Sequence, residues 1–124
     1  MDATLAVKLV ESMERAVAGG DRTSAAQYLA EDVAYTVGAR PVLRGIDAVI
    51  AAIAKQGRIA HWDGHTLCAA FINEDTLVVE VISHFTRVTD ERSISFPCAD
   101  VYRFKDGKIY DWRVYADMSP FHAD

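Results

Sequence analysis

Near residue 60 the hydrophobic pattern changes its period, and this switch limits the fold more than any other feature of the chain. Before it, apolar residues recur every three or four positions. Leu5, Leu9, Met13, Ala16 and Val17 form one stripe across residues 3–18, with Lys8, Glu11, Glu14 and Arg15 mostly on the other side, which predicts an amphipathic helix. Gly19-Gly20 ends it, and Asp21 caps a second short helix that runs through Ala25, Ala26 and Leu29 to about Ala30. Val33–Val37 reads as a short strand, and 38–44, with Pro41 inside it, as a loop or ragged strand. A third helix follows Gly45, carries Ile46, Val49, Ile50, Ile53 and Ala54 on one face, and stops at Gly57. Beyond it the period falls to about two, which predicts strands at roughly 61–72, 76–89, 92–105 and 108–117. Short polar connections at Asn73-Glu74-Asp75, Thr89-Asp90-Glu91 and Lys105-Asp106-Gly107 separate them. Helices followed by a meander of long strands specify an α+β domain rather than a parallel βαβ sheet. With no repeat and no linker, residues 1–124 read as one domain.

Strands this long must coil, and a coiled sheet has a concave side that a few short helices cover only in part. The uncovered remainder predicts an internal pocket. Strand alternation selects its lining. Asp100 falls on one face with Phe96, Cys98, Tyr102 and Phe104, where a carboxyl group would be desolvated and its pKa raised. Such a group suits a hydrogen-bond donor or general acid; the competing reading is a structural aspartate held by an arginine or by backbone. Trp112 and Val114 share a face, opposite Arg113, Tyr115 and Asp117. Tyr35, Trp62, Phe96, Tyr102, Trp112 and Val114 are expected to shape the pocket; His61 and His65, which flank Trp62, read either as ordinary polar residues at a strand end or as acid/base partners at the pocket mouth. Val79, Val81, Ser83 and Phe85 form the inward set of their strand, which puts His84 on the outer face. Arg40, Arg44 and Arg58 read as solvated or capping charges.

Charge and cysteine usage exclude several classes. The net charge is −5 with no Lys/Arg run, which argues against a nucleic-acid or anionic-membrane surface. No apolar run is long enough to span a bilayer. The N-terminal residues lack the pattern of a signal peptide, so a cytoplasmic location is expected. Cys68 and Cys98 lie in apolar strand-like stretches without CxxC or CxxH spacing, so they are expected as buried thiols, with no metal site.

Four segments, in order and at fitting intervals, resemble the nuclear-transport-factor-two-like superfamily, which includes ketosteroid isomerase, limonene epoxide hydrolase, scytalone dehydratase and the SnoaL-like polyketide cyclases. They are Gly20-Asp21 with Tyr28-Leu29-Ala30-Glu31-Asp32-Val33, Arg44 through Ile50, Asp100 through Ile109, and Trp112 through Asp117. The resemblance covers nearly the whole chain and implies a cone-shaped domain, three helices on a strongly curved antiparallel or mixed sheet. It also implies what this chain lacks. Of the isomerase's three functional groups, only the proton-donating acid has a counterpart, Asp100; the tyrosine and base positions correspond to Met13 and Val37. The epoxide hydrolase's three groups correspond to Val114, Val81 and Ser83. The cyclase pattern is similar at Asp117 and His84, but parity turns Asp117 away from a cavity that Trp112 faces. In this superfamily the outer sheet face commonly meets a second subunit, and the outer row Ile82, Ala99, Val101 and Tyr115 is apolar, which predicts a homodimer.

Two functions follow. One is a cofactor-independent isomerase, cyclase or lyase that acts on a small apolar, carbonyl-bearing molecule with Asp100 as acid. The other is a non-catalytic module of the same fold that binds a ligand or a protein.

Overall fold

The computed structural model describes residues 1–124. Helix α1 spans Ala3–Ala18 and is capped by Asp2, whose carboxylate accepts the Leu5 N–H at 2.8 Å. Its buried stripe is Ala6, Val10, Met13, Ala16 and Val17, so the helix is rotated from the expected stripe and Leu5 is 50% exposed. Gly20, at φ 67°, supplies the left-handed residue that ends the helix.

Asp21 does cap the next helix, through the Ser24 N–H at 3.1 Å, but α2 covers only Arg22–Ala25. It stops short of the expected Ala30 because Leu29 already belongs to strand β1, Leu29–Val37, where it pairs with Ile109. That tertiary pairing overrides local helix propensity. Strand β2 is the pair Leu43–Arg44, and α3 spans Ile46–Gly57. The four long strands are β3 Ala60–Asn73, β4 Thr76–Arg87, β5 Ser93–Lys105 and β6 Lys108–Ala116, close to the predicted ranges. Asp106 and Gly107, both at positive φ, turn β5 into β6 as a two-residue hairpin. A short 3₁₀ turn, Ser119–His122, follows and has no counterpart in the hydrophobic pattern.

The sheet runs β2-β1-β6-β5-β4-β3. β1 lies parallel to β6 and every other pair is antiparallel, so the sheet is mixed. Two register shifts in β3, at Trp62/Gly64 and Leu67/Ala69, bend the sheet, as bulges do. Three helices packed on this curved, open sheet give the cone-shaped α+β fold.

Two apolar clusters fill the cone. The larger joins α1, α3, β1 and the inner face of β4–β6. The smaller comprises Ala60, Phe85, Ile94, Phe96 and Phe121. Phe121, carried by the 3₁₀ turn, packs edge-on against Phe85 at 4.8 Å and Phe96 at 5.5 Å. Arg87 fastens that turn by donating to the carbonyls of Pro120 and Ala123 while it pairs with Asp90. On the outer face His84 bridges Thr66 at 2.9 Å and Ser95 at 2.8 Å. No helix is long and apolar enough to cross a membrane.

Met13 is fully buried at the centre of the larger cluster. Met13→Ala is expected to lower the unfolding free energy by about 2–5 kcal/mol in urea melts. Leu5→Ala, on the exposed side of the same helix, should change it by about 0.5 kcal/mol or less.

Candidate functional site

The site starts from Asp100 in the middle of β5, paired with Val79 on one side and Val114 on the other. The register is unbroken from Ser93 to Arg103, so alternation holds and Asp100 points inward with Phe96, Cys98 and Tyr102. Three donors surround its carboxyl group. The Tyr102 hydroxyl donates to Oδ2 at 2.9 Å, the Trp112 indole N–H reaches the same oxygen at 3.4 Å, and the Cys98 thiol donates to Oδ1 at 3.0 Å. Tyr102 and Trp112 face each other across β5 and β6 with stacked rings 5.5 Å apart. Burial raises the pKa of Asp100, and the three donors and the His65 charge oppose that rise only in part. The carboxylate in turn helps burial push the Cys98 thiol and the Tyr35 and Tyr102 hydroxyls upward.

Asp100 opens onto a cavity of about 100 Å³ where the two apolar clusters meet. The sequence-predicted Tyr35, Trp62, Phe96, Trp112 and Val114 line it together with Asp100. Tyr35 packs on Trp112 with ring centroids 4.6 Å apart. Tyr102 stands behind the acid rather than on the wall; it is wholly buried and acts on the cavity through its bond to Asp100.

His61 is not part of this site. Its side chain is exposed and pairs with Asp63 at 2.9 Å, because Trp62 turns inward and alternation turns its neighbour outward. His65 lies four residues on and would share that outward face in a regular strand. The bulge at Asp63-Gly64, with Gly64 at φ 100°, resets the alternation and pairs His65 with Ser83 on the inner face. There it packs 6.0 Å from Trp62 and faces Glu14 and Glu11 of α1. His84 and Asp117 lie outside the cavity, as parity predicts; Asp117 caps the Ser119 N–H. Cys68 is exposed rather than buried, and Cys98 is half-buried beside Asp100; both are free thiols.

Glu14 is a cavity residue that the hydrophobic stripe did not reveal. The rotation of α1 that buries Val10 carries Glu14, one turn on, to the rim with Val17 and Ala18. Burial raises its pKa most; His65 opposes the rise, and the charges of Asp100 and Glu11 add to it. His65 is raised in its turn, chiefly by Glu14, against the opposing effect of burial. Glu14 and Asp100 are the only charged side chains on the wall, beside five aromatic rings. No three His, Cys, Asp or Glu side chains gather where they could hold a metal ion.

The family model described as "SnoaL-like domain" matches residues 10–112. No protein of curated function matches the sequence. Among solved structures, a hypothetical protein from Catenulispora acidiphila, with a ketosteroid isomerase-like fold and in complex with trimethylamine, is 16% identical. It superposes with a TM-score of 0.76 over 90% of this chain and 86% of that one. A protein from Jannaschia sp., described as a candidate SnoaL-like polyketide cyclase, is 15% identical at TM-score 0.78, over 95% and 94% of the two chains. An LEH-like epoxide hydrolase from M. tuberculosis is 18% identical at TM-score 0.74, over 97% and 88%. At these identities the likeness is one of fold.

The raised pKa of Asp100 has a signed consequence. A carboxyl group whose folded value exceeds its unfolded value favours folding fully below the unfolded pKa, about 3.9, and loses that contribution as pH climbs through the folded value. Asp100→Asn removes this dependence. Between pH 4 and 8 the melting temperature of Asp100→Asn should rise relative to wild type in a calorimetric series. A constant difference would mean that Asp100 does not titrate in the folded state as described.

Proposed function

We propose, for a chain that belongs to the SnoaL-like domain family within the nuclear-transport-factor-two-like superfamily, that the cavity binds one small apolar molecule carrying a carbonyl group, with Asp100 as its acid. The observation that carries this reading is the uneven satisfaction of the carboxyl group. Oδ2 has the Tyr102 hydroxyl at 2.9 Å and the longer Trp112 N–H contact at 3.4 Å; Oδ1 has only a thiol, which is a weak donor. A neutral Asp100 keeps its proton on Oδ1 and offers it to a carbonyl oxygen. At 10–15 Å³ for each water-sized occupant, the cavity admits a guest of roughly seven to ten non-hydrogen atoms. The apolar wall holds such a guest, and Tyr35 offers a second hydroxyl on the same surface. Proton donation to a carbonyl oxygen supports cofactor-independent isomerisation, cyclisation or elimination, and is worth about 10²–10⁴ in rate.

Cyclohexanone is a suitable probe. Its affinity, followed by protein-observed NMR, should fall as pH rises through the pKa of Asp100, and Asp100→Ala should weaken it about tenfold, the value of one buried hydrogen bond. Binding that ignores both changes refutes the acid role.

A second reading is a binding module without turnover, whose guest is a small organic cation. The wall favours it specifically: its only charges are acidic, five aromatic rings stand beside them, and the Catenulispora neighbour holds trimethylamine. Tetramethylammonium discriminates, because it would bind more tightly as pH rises and the acids ionise.

The same proposal takes residues 1–124 as one working unit in the cytoplasm, consistent with two free thiols, and pairs it with a second copy. Val78, Ala99, Val101 and Tyr115 adjoin in register on the outer sheet face, next to Phe71, which is 60% exposed. A second copy related by two-fold symmetry would cover that surface. Light scattering after size exclusion should give twice the chain mass at micromolar concentration, and Val101→Glu should return a monomer. A wild-type monomer refutes the pairing.

A further inference from the structure

The reading above uses one of the two acids on the cavity wall. The other, Glu14, has a different setting. Its Oε2 lies 3.6 Å from Nδ1 of His65, and Nε2 of the same ring lies 3.5 Å from Oε2 of Glu11. Both separations are in ion-pair range and a few tenths of an ångström beyond a hydrogen bond, a gap that small movements close. Solvent exposure along the series is 16% for the Glu14 side chain, 12% for His65 and 39% for Glu11. Three ionisable side chains therefore lead from the cavity to the surface, between α1 and β3.

The groups facing Glu14 fix its role. From β5 come Asp100, Cys98 and Tyr102, from β1 Tyr35, from α1 Glu11, and from β3 His65. Of these only His65 can carry positive charge. It touches Glu14, whereas Asp100 is held by neutral donors. Two acids on one wall with unlike environments divide the labour, the paired one as base and the unpaired one as acid.

We propose that Glu14, positioned by His65, is the second catalytic residue of this cavity: the base that takes a proton from the carbon beside the guest's carbonyl and passes it to solvent through His65 and Glu11. This rests on the reading of Asp100 as the neutral acid. In the step, the α C–H bond breaks and an O–H bond forms on Glu14. The C–H electron pair becomes the carbon–carbon double bond of an enol, and the carbonyl oxygen takes the Asp100 proton. His65, unprotonated at Nδ1, takes the Glu14 proton there and becomes an imidazolium, whose ring protons exchange with solvent, the Nε2 proton by way of Glu11, before Nδ1 returns a proton to Glu14. Return of a solvent proton along the same route restores the ketone and both acids, so the net change is exchange of one hydrogen with water and no redox partner is needed.

Cyclohexanone in D₂O tests this. With wild type, ¹H NMR should show loss of the α-hydrogens well above the buffer rate. Glu14→Gln should slow that loss by about a hundredfold or more while cyclohexanone still shifts the Trp112 indole signal. Glu14→Asp should recover part of the rate, and a folded spectrum for it guards against misreading a damaged helix. His65→Gln should keep binding, lower the rate and flatten the limb of the pH profile that His65 titration produces. Glu14→Gln exchanging at the wild-type rate, or wild type binding cyclohexanone without exchange, overturns the assignment to Glu14 and leaves the Asp100 reading standing. Failure of cyclohexanone to bind overturns both.

Discussion

Two hydrogen bonds to a single oxygen hold the interior of this protein in its chemical state. Tyr102 and Trp112 both donate to Oδ2 of Asp100, and the Trp112 bond ties β6 to β5 through side chains as well as through the backbone ladder. Leaving a buried carboxyl group unbonded would cost several kcal/mol, so these donors make an acid tolerable in an apolar cone. They also leave Oδ1 free of strong partners, which sets the direction in which the acid can act. Substituting Trp112 would disturb the wall of the cavity and the ionisation of its acid together, whereas Tyr102 acts on the cavity through the acid alone.

The bulge in β3 has a comparable reach. Asp63 is the extra residue, so Trp62 and His65 both turn inward although three positions separate them. One irregularity thereby supplies an aromatic wall residue and the only imidazole able to meet Glu14. A regular strand would place His65 outside with His61, and the second acid would have no cationic neighbour.

What the sequence disclosed follows the same physics. The period switch near residue 60, the Asp-Gly hairpin and the long strands were legible because they are local, and they specify a curved sheet under helices. Asp100, Phe96, Trp112 and Val114 were legible as inward residues because β5 and β6 keep strict alternation around them. His61 and His65 look alike in the sequence, and only His65 turns inward, because no side-chain pattern announces a bulge. Glu14 was hidden by one residue's rotation of α1: the apolar count favours a stripe through Leu5 and Leu9, while the folded helix buries Ala6 and Val10 in their place. The early end of α2 and the parallel β1–β6 pair come from partners about 80 residues apart in the chain. No local signal carries such a pairing, although the resemblance to a known superfamily implied a sheet that admits it.

That parallel pair also orders events in time. Apart from the two residues of β2, the only strand neighbour of β1 is β6, the last strand of the chain. During synthesis on the ribosome β1 must wait for its long strand partner until β6 has been made. Its apolar residues Leu29, Val33 and Tyr35 meet their strand partners only then. Contacts this distant in sequence slow folding, and they leave a nascent chain with exposed sheet edges for the whole interval. The hollow comes into being only once β6 is in place, so a guest binds the assembled sheet and cannot template its earlier stages.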